Sequence, residues 1–219
     1  MTTDQTIPAK RPLVLRILAQ LVSYVFHPLF IPFYTIVFLI QFHPSYFAGF
    51  GAYDKFKLMS ATALNTVFFP ALSVLLMKGL GFIKSITLPE RQDRIGPYLA
   101  AMIFYFWAAW VFFKFQPVPH PAIASFMTGV FITSIAGLLA NIYFKISMHA
   151  MGVGGLLGFF LLIMKSNTML MTWPLSLALL VAGLVCTARM LVSDHDSKDI
   201  YAGLLAGILC QWGAALVIL

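Results

Sequence analysis

Long apolar runs alternate along this chain with short polar islands. The runs fall near residues 22–42, 58–80, 98–115, 122–143, 149–165, 171–190 and 200–218. Each approaches the roughly 20 residues a helix needs to cross a hydrocarbon core of about 30 Å. They are continuous rather than alternating, which excludes a closed β-barrel. The pattern predicts an all-α polytopic transmembrane helix bundle of about seven spans, with residues 1–219 forming a single integral-membrane domain. A polar N-terminal segment covers residues 1–15. The stretch 13–24 is expected to lie in the interface before the first span turns in at Pro28. Lys10, Arg11 and Arg16 precede that span without a small-x-small cleavage site, so no cleavable signal is expected.

Counting spans puts the polar islands on one side. Two spans separate the N-terminus from residues 90–97, two more lead to residues 145–149, and a further two to residues 189–199. The opposite loops (41–57, 115–121 and 165–172) carry no comparable cluster. Composition agrees with membrane residence: 61% of residues are apolar and only 10% charged, with a mean hydropathy of +0.92. The net charge is +7, and of the 14 Lys and Arg only Lys55, Lys57, Lys114 and Lys165 fall opposite the islands. The positive-inside rule reads that bias as a cytoplasmic island side, in a bacterial cytoplasmic membrane. Arg91, Arg94, Lys145, Arg189 and Lys198 have a possible ligand to serve instead, so the facing compartment stays open. With no basic tail and no aromatic-basic surface, nucleic acid is excluded as a partner. Anionic headgroups or a phosphorylated ligand fit better. Cys186 and Cys210 fall inside spans, where cysteine behaves as a small hydrophobe and signals neither disulfide nor metal.

The islands hold the chemistry. Ionisable residues at a membrane boundary are costly and usually serve an ion, a substrate or a reaction. His195 and Asp199 are four apart; if 195–199 opens the last helix, they share a face within side-chain reach. A carboxylate there would fix the imidazole tautomer and support its charge after nucleophilic attack, and the helix N-terminus would favour a bound anion. Arg189 and Arg94 can clamp phosphate oxygens from two sides. His149 is placed to protonate a leaving oxygen, and Ser147 to donate its hydroxyl to the phosphate. Gly152, Gly154 and Gly155, with Ala202, Gly203, Ala206 and Gly207 in the last span, suggest close helix packing, and a homo-oligomer is possible.

Arg189-x5-His195-x3-Asp199, preceded by Ser147-Met148-His149 and by Arg94-Ile95-Gly96-Pro97, resembles the type-2 phosphatidic acid phosphatase superfamily of integral-membrane lipid phosphatases. The similarity covers roughly residues 84–219. It implies a six-helix core preceded by an additional N-terminal span. It also implies hydrolysis of a lipid phosphomonoester or diphosphate (phosphatidate, phosphatidylglycerol phosphate or polyprenyl phosphate), with no metal or cofactor. On that resemblance His195 forms a phosphohistidine intermediate, Asp199 supports it and His149 protonates the leaving alcohol. Arg94, Arg189 and Ser147 hold the phosphate. The chain departs from the family pattern in each motif: Ala188 replaces a Ser, Ile146 a Pro and Met148 a Gly, while the first motif is reduced to Arg94-Ile95-Gly96-Pro97 with Thr87 where its Lys would stand. Arg91 or Lys145 would then meet the remaining phosphate charge.

Plainer readings accompany each of these. His195 and Asp199 can be a helix cap with its ion pair, and Arg91 and Lys145 interfacial anchors that snorkel to headgroups. Asp194, Asp196 and Asp199 admit a Mg²⁺ reading, but Glu90 and Asp93 are too sparse to make the second acidic cluster it needs. His27, before Pro28, either faces the site or is a structural interfacial histidine, the plainer account. His43 and His120 fall on the opposite side. A non-catalytic lipid-phosphate binder or transporter using the same pocket is the alternative function, and a structural membrane subunit a third.

Overall fold

The computed structural model describes residues 12–88, 90–115, 117–166, 171–192 and 196–219. Its helices are α1 (Leu13–Val25), α2 (Ile31–Phe42), α3 (Ala52–Ala63), α4 (Phe69–Gly79), α5 (Ile95–Lys114), α6 (Pro121–Tyr143), α7 (Met148–Ser166), α8 (Thr172–Val192) and α9 (Ser197–Ile218). No strand occurs among the described residues. Six helical stretches are long and apolar enough to cross a membrane, the first being Ala52–Gly79, where α3 and α4 run together. The chain is a multi-pass transmembrane helical bundle.

The first expected span differs in detail. Rather than one helix over 22–42, the chain forms two shorter apolar helices, α1 and α2. Pro28 and Pro32 explain the break, since each lacks an N–H and fixes φ; Pro32 then sits in the first turn of α2, where no donor is needed. α1 turns Ala19 and Ser23 inward and packs on α8. Its outer side leaves Leu13, Leu15, Ile17, Leu18 and Leu21 about half exposed or more. A second proline shapes the next span. Pro70 cannot donate to Thr66, and the helix widens over Leu64–Phe68 into a π-turn in which Phe69 N–H reaches back to the Leu64 carbonyl.

The tightest packing joins α7 to α9. A Cβ on Gly154 would run into the carbonyl of Leu204, and one on Gly207 into that of Met151; at Gly158 it would lie 2.8 Å from the Cα of Ile208. At the polar end of this seam a Cβ on Gly203 would lie 2.8 Å from the Ser147 carbonyl, and Ser147 N–H donates to the Asp199 carbonyl at 3.3 Å. Small residues thus let two backbones meet, as the spacing of these glycines suggested. α6 closes on both neighbours by the same means: Gln211 of α9 packs on Gly129, and Tyr98 of α5 on Gly137.

Contacts sort the loops into two ends. Residues 26–30, the start of α5, the α6–α7 connection, the end of α8 and the start of α9 meet at one end. At the other, Tyr46 lies between His43 and His120, stacked on the first and tilted against the second, with ring centroids 4.4 Å from each. The separation of His43 and His120 from the polar islands is as span counting predicted.

Replacing Gly207 by Val should force α7 and α9 apart at a cost of about 1–3 kcal/mol or more, read as a lower melting temperature in detergent. Gly213, whose Cβ position is open, is the control: Gly213→Ala should leave stability unchanged or raise it by up to about 1 kcal/mol.

Candidate functional site

Arg94 anchors the polar end. It is 4% exposed, closing the short 3₁₀ turn that leads into α5. Its Nε donates to the Leu88 carbonyl at 2.9 Å and its Nη1 to the Ile146 carbonyl at 3.3 Å. One guanidinium therefore ties the loop before α5 to the connection that leads into Ser147. Leu88 has φ +51°, the one left-handed non-glycine backbone among the described residues. That conformation is costly for a branched residue. It is held by burial of the Leu88 side chain and by the bond its carbonyl accepts from Arg94.

Ser147 is fully buried at the mouth of α7, and its Oγ accepts a long bond from Ala150 N–H at 3.4 Å, as a helix-capping hydroxyl does. His149, in the first turn of α7, is oriented from α1. Its Nε2 lies 3.1 Å from the Ser23 carbonyl, one of the carbonyls left over at a helix C-terminus. Because a carbonyl only accepts, this bond puts the proton on Nε2.

His27, in the break between α1 and α2, meets His149 edge to face with ring centroids 5.1 Å apart. Its Nδ1 accepts Leu29 N–H at 3.3 Å. Burial, and after it the Arg189 charge, hold its imidazole well below the ordinary value, at about 4. The sequence favoured a structural role for this histidine, yet it lies against the candidate general acid. His-Pro at the entry to a span was the available signal.

Arg189 ends α8, half-buried, and interacts electrostatically with both Arg94 and His27. Arg94 in turn feels the Asp199 carboxylate. Asp199 is buried at the third position of α9. Its Oδ2 accepts Asp196 N–H at 3.3 Å while the Asp196 side chain accepts the Asp199 N–H, a reciprocal capping box. α9 therefore begins at Ser197 with Asp196 as its N-cap. This corrects the expectation that 195–199 form the first helical turn: an aspartate preceding a helix competes for the cap. His195 and Asp194 lie outside the described residues. Lys198 reaches Asp196 at 3.4 Å, with both side chains largely exposed, a pair worth little.

The remaining predicted residues sit at the edge. Arg91 is exposed, donates from Nη1 to the Ile142 carbonyl at 3.3 Å, and accepts Asn141 Nδ2–H at its own carbonyl at 2.9 Å. Its observed work is to fasten the α5 loop to the end of α6. Lys145 is half-buried beside Ile146. Thr87 is exposed and pairs with Ser85, Oγ1 to Oγ 2.8 Å. Asp93 accepts the Lys84 N–H at 3.1 Å. So Arg94, Ser147, His149, Arg189 and Asp199 come together with His27, and Arg91 stands outside them.

Directly beneath the cluster lies a cavity of about 430 Å³, with His27, Tyr98 and Met148 in its wall at this end. Nothing in the sequence marked it. The arrangement can bind an anion between two guanidiniums, near a buried hydroxyl and an oriented imidazole, with apolar space below. The chain matches no family model, no curated protein and no solved structure.

His27 gives a pH signature. Its folded value lies below its unfolded one of about 6.5, so the unfolded chain binds the extra proton first. Stability should be full above about pH 6.5 and fall as the pH drops toward 4. His27→Asn, which keeps an acceptor for Leu29 N–H, should flatten that fall in melting experiments in detergent. An unchanged pH profile would assign the acid sensitivity elsewhere.

Proposed function

We propose that this protein is a membrane lipid phosphatase, hydrolysing a phosphomonoester or diphosphate of the phosphatidate, phosphatidylglycerol phosphate or polyprenyl phosphate class in a bacterial cytoplasmic membrane. The observation that carries the reading is the approach of two arginines, Arg94 from the start of α5 and Arg189 from the end of α8, beside Ser147, His149 and Asp199. Two like charges brought near one another repel, and a phosphate between them would add to the compensation that the Asp199 carboxylate gives Arg94. Guanidiniums are suited to phosphate because they donate in forks and can offset charge developing on a transferred group.

The reaction follows from the residues. The headgroup phosphate enters between Arg94 and Arg189, with the Ser147 hydroxyl as a further donor. Neutral His195 attacks phosphorus, forming a P–N bond as the bond to the leaving oxygen breaks. His149, its ring held by the Ser23 carbonyl, gives that oxygen a proton. Water, deprotonated by the now neutral His149, attacks the phosphohistidine and releases inorganic phosphate. The role of His195 rests on the Arg-x5-His-x3-Asp spacing. Asp199 acts on the positive charges around it while its Oδ2 also caps α9.

A second reading, a lipid-phosphate binder or transporter without turnover, is favoured by that same cap. A carboxylate committed to its own helix has less freedom to orient a nucleophile. Phosphate release from a panel of lipid phosphates by purified protein separates the two. The phosphatase should release phosphate in the presence of EDTA and lose at least about a thousandfold in rate in His195→Ala, with lipid binding kept. Binding without release by the unaltered protein would establish the second reading, and EDTA-sensitive release would remove the metal-free route.

A further inference from the structure

We infer that the cavity below the arginine cluster receives the apolar chain of the lipid phosphate, withdrawn from the bilayer into the protein, and that the chain enters sideways between α2 and α4. The inference rests on the phosphate-site reading above and adds where the rest of the ligand goes. Four observations carry it.

The cavity is continuous with the polar cluster: His27 and Tyr98 stand in its wall, and so does Met148, between Ser147 and His149 in the chain. A headgroup at the arginines would have its tail pointed into it. Its depth suits a chain. Beyond the headgroup end it is walled by Val74 of α4, Ala101 and Tyr105 of α5, Val130 of α6, Gly155 of α7 and Gln211 of α9. Gln211 lies twelve residues along α9 from Asp199, about 18 Å of helix, so the cavity runs deep into the bundle. Its volume of about 430 Å³ falls in the range of about 300–1,000 Å³ typical of small-molecule sites.

Its wall is apolar nearly throughout. An apolar void in a well-packed interior forfeits dispersion contacts and is destabilising unless something fills it; water is a poor filler without several polar partners. A hydrocarbon chain fills it, leaving, among the described residues of this wall, only the buried Tyr98 hydroxyl and Gln211 Oε1 without partners.

The side entrance is visible. A second, shallower depression lies between α2 and the α3–α4 span, lined by Tyr34, Leu64, Val67 and Phe68 among others, and it shares Phe30, Ala71 and Leu75 with the cavity. Leu75 and Ile86 at the rim are 55% and 54% exposed. The π-turn over Leu64–Phe68 and Pro70 shape this wall. The opening therefore faces the surface that lipid covers, and a tail can slide in while its headgroup stays at the polar end.

The test uses binding, so it does not depend on turnover. A long-chain alkyl phosphate carrying a diazirine at the chain terminus is photolysed with the full-length protein in vesicles, and labelled peptides are mapped. Label should fall on peptides carrying Val130, Gly155 or Gln211. Ala101→Phe and Val74→Phe, which enlarge two lining residues on different helices, should each reduce that labelling at least tenfold. A short-chain analogue should still label the upper wall of both variants, which also reports their folding. A prenyl monophosphate and lysophosphatidate serve as competitors; suppression by either supports the inference and identifies the kind of chain accepted. Label confined to lipid-facing residues such as Leu205 and Leu209, labelling indifferent to both substitutions, or suppression by neither competitor would overturn it. Phosphate release that is absent while the deep labelling persists would instead remove the phosphatase reading and leave the chain site standing.

Discussion

The backbones of α7 and α9 lie against one another at Gly154, Gly158, Gly203 and Gly207, and the geometry of the polar end follows from that contact. A methyl group at Gly154 or Gly207 would strike a carbonyl of the facing helix. With the helices this close, Ser147 N–H reaches the Asp199 carbonyl. The beginning of α7 and the beginning of α9 are then one structural unit, although some fifty residues separate them in the chain. Buried backbone groups must be paired, so the seam fixes register as well as distance. Everything offered to a ligand from residues 147–149 and 196–199 inherits its position from this contact.

Arg94 extends the unit to the other half of the bundle. Its two bonds to the Leu88 and Ile146 carbonyls turn a residue that looks from sequence like a ligand-binding cation into a structural strut as well. α1 adds a third support. Its C-terminal carbonyls need donors, and His149 supplies one, so an N-terminal helix outside the resembling region sets the orientation of a candidate catalytic ring. The site is therefore assembled by groups that satisfy backbone polarity first and present charge second.

How much of this the sequence revealed depends on which kind of signal each feature leaves. Hydrophobic runs are long-range averages and survive small errors, so the spans and the common side of the islands were legible, as were the glycines of the seam. Helix starts are decided by single residues. Asp196 took the N-cap from a position two residues earlier, and Pro28 with Pro32 divided the first span, both local effects that a hydropathy run hides. Leu88 in the left-handed region could not be foreseen, because its reason is a bond from an arginine six residues on. Arg91 looked equivalent to Arg94 in sequence, and only packing separates the exposed fastener from the buried strut. The cavity leaves no sequence signal, since its wall is drawn from ordinary apolar and aromatic residues of α1, α2, α4, α5, α6, α7 and α9. His27 was visible as a residue but not as a neighbour of His149, a contact 122 residues apart in the chain.

The central claim is that one phosphate is carried by this polar end through a histidine of the Arg189-x5-His195-x3-Asp199 string. The most direct measurement is a rapid acid-free quench of purified protein turning over a phosphorus-labelled lipid phosphate, followed by mapping of any covalent label. The account predicts label on a histidine in the peptide carrying residue 195, accumulating when His149 is replaced by Gln and absent when His195 is. Label on an aspartate, label on a peptide from outside residues 189–199, or full turnover with no protein-bound phosphorus would contradict it.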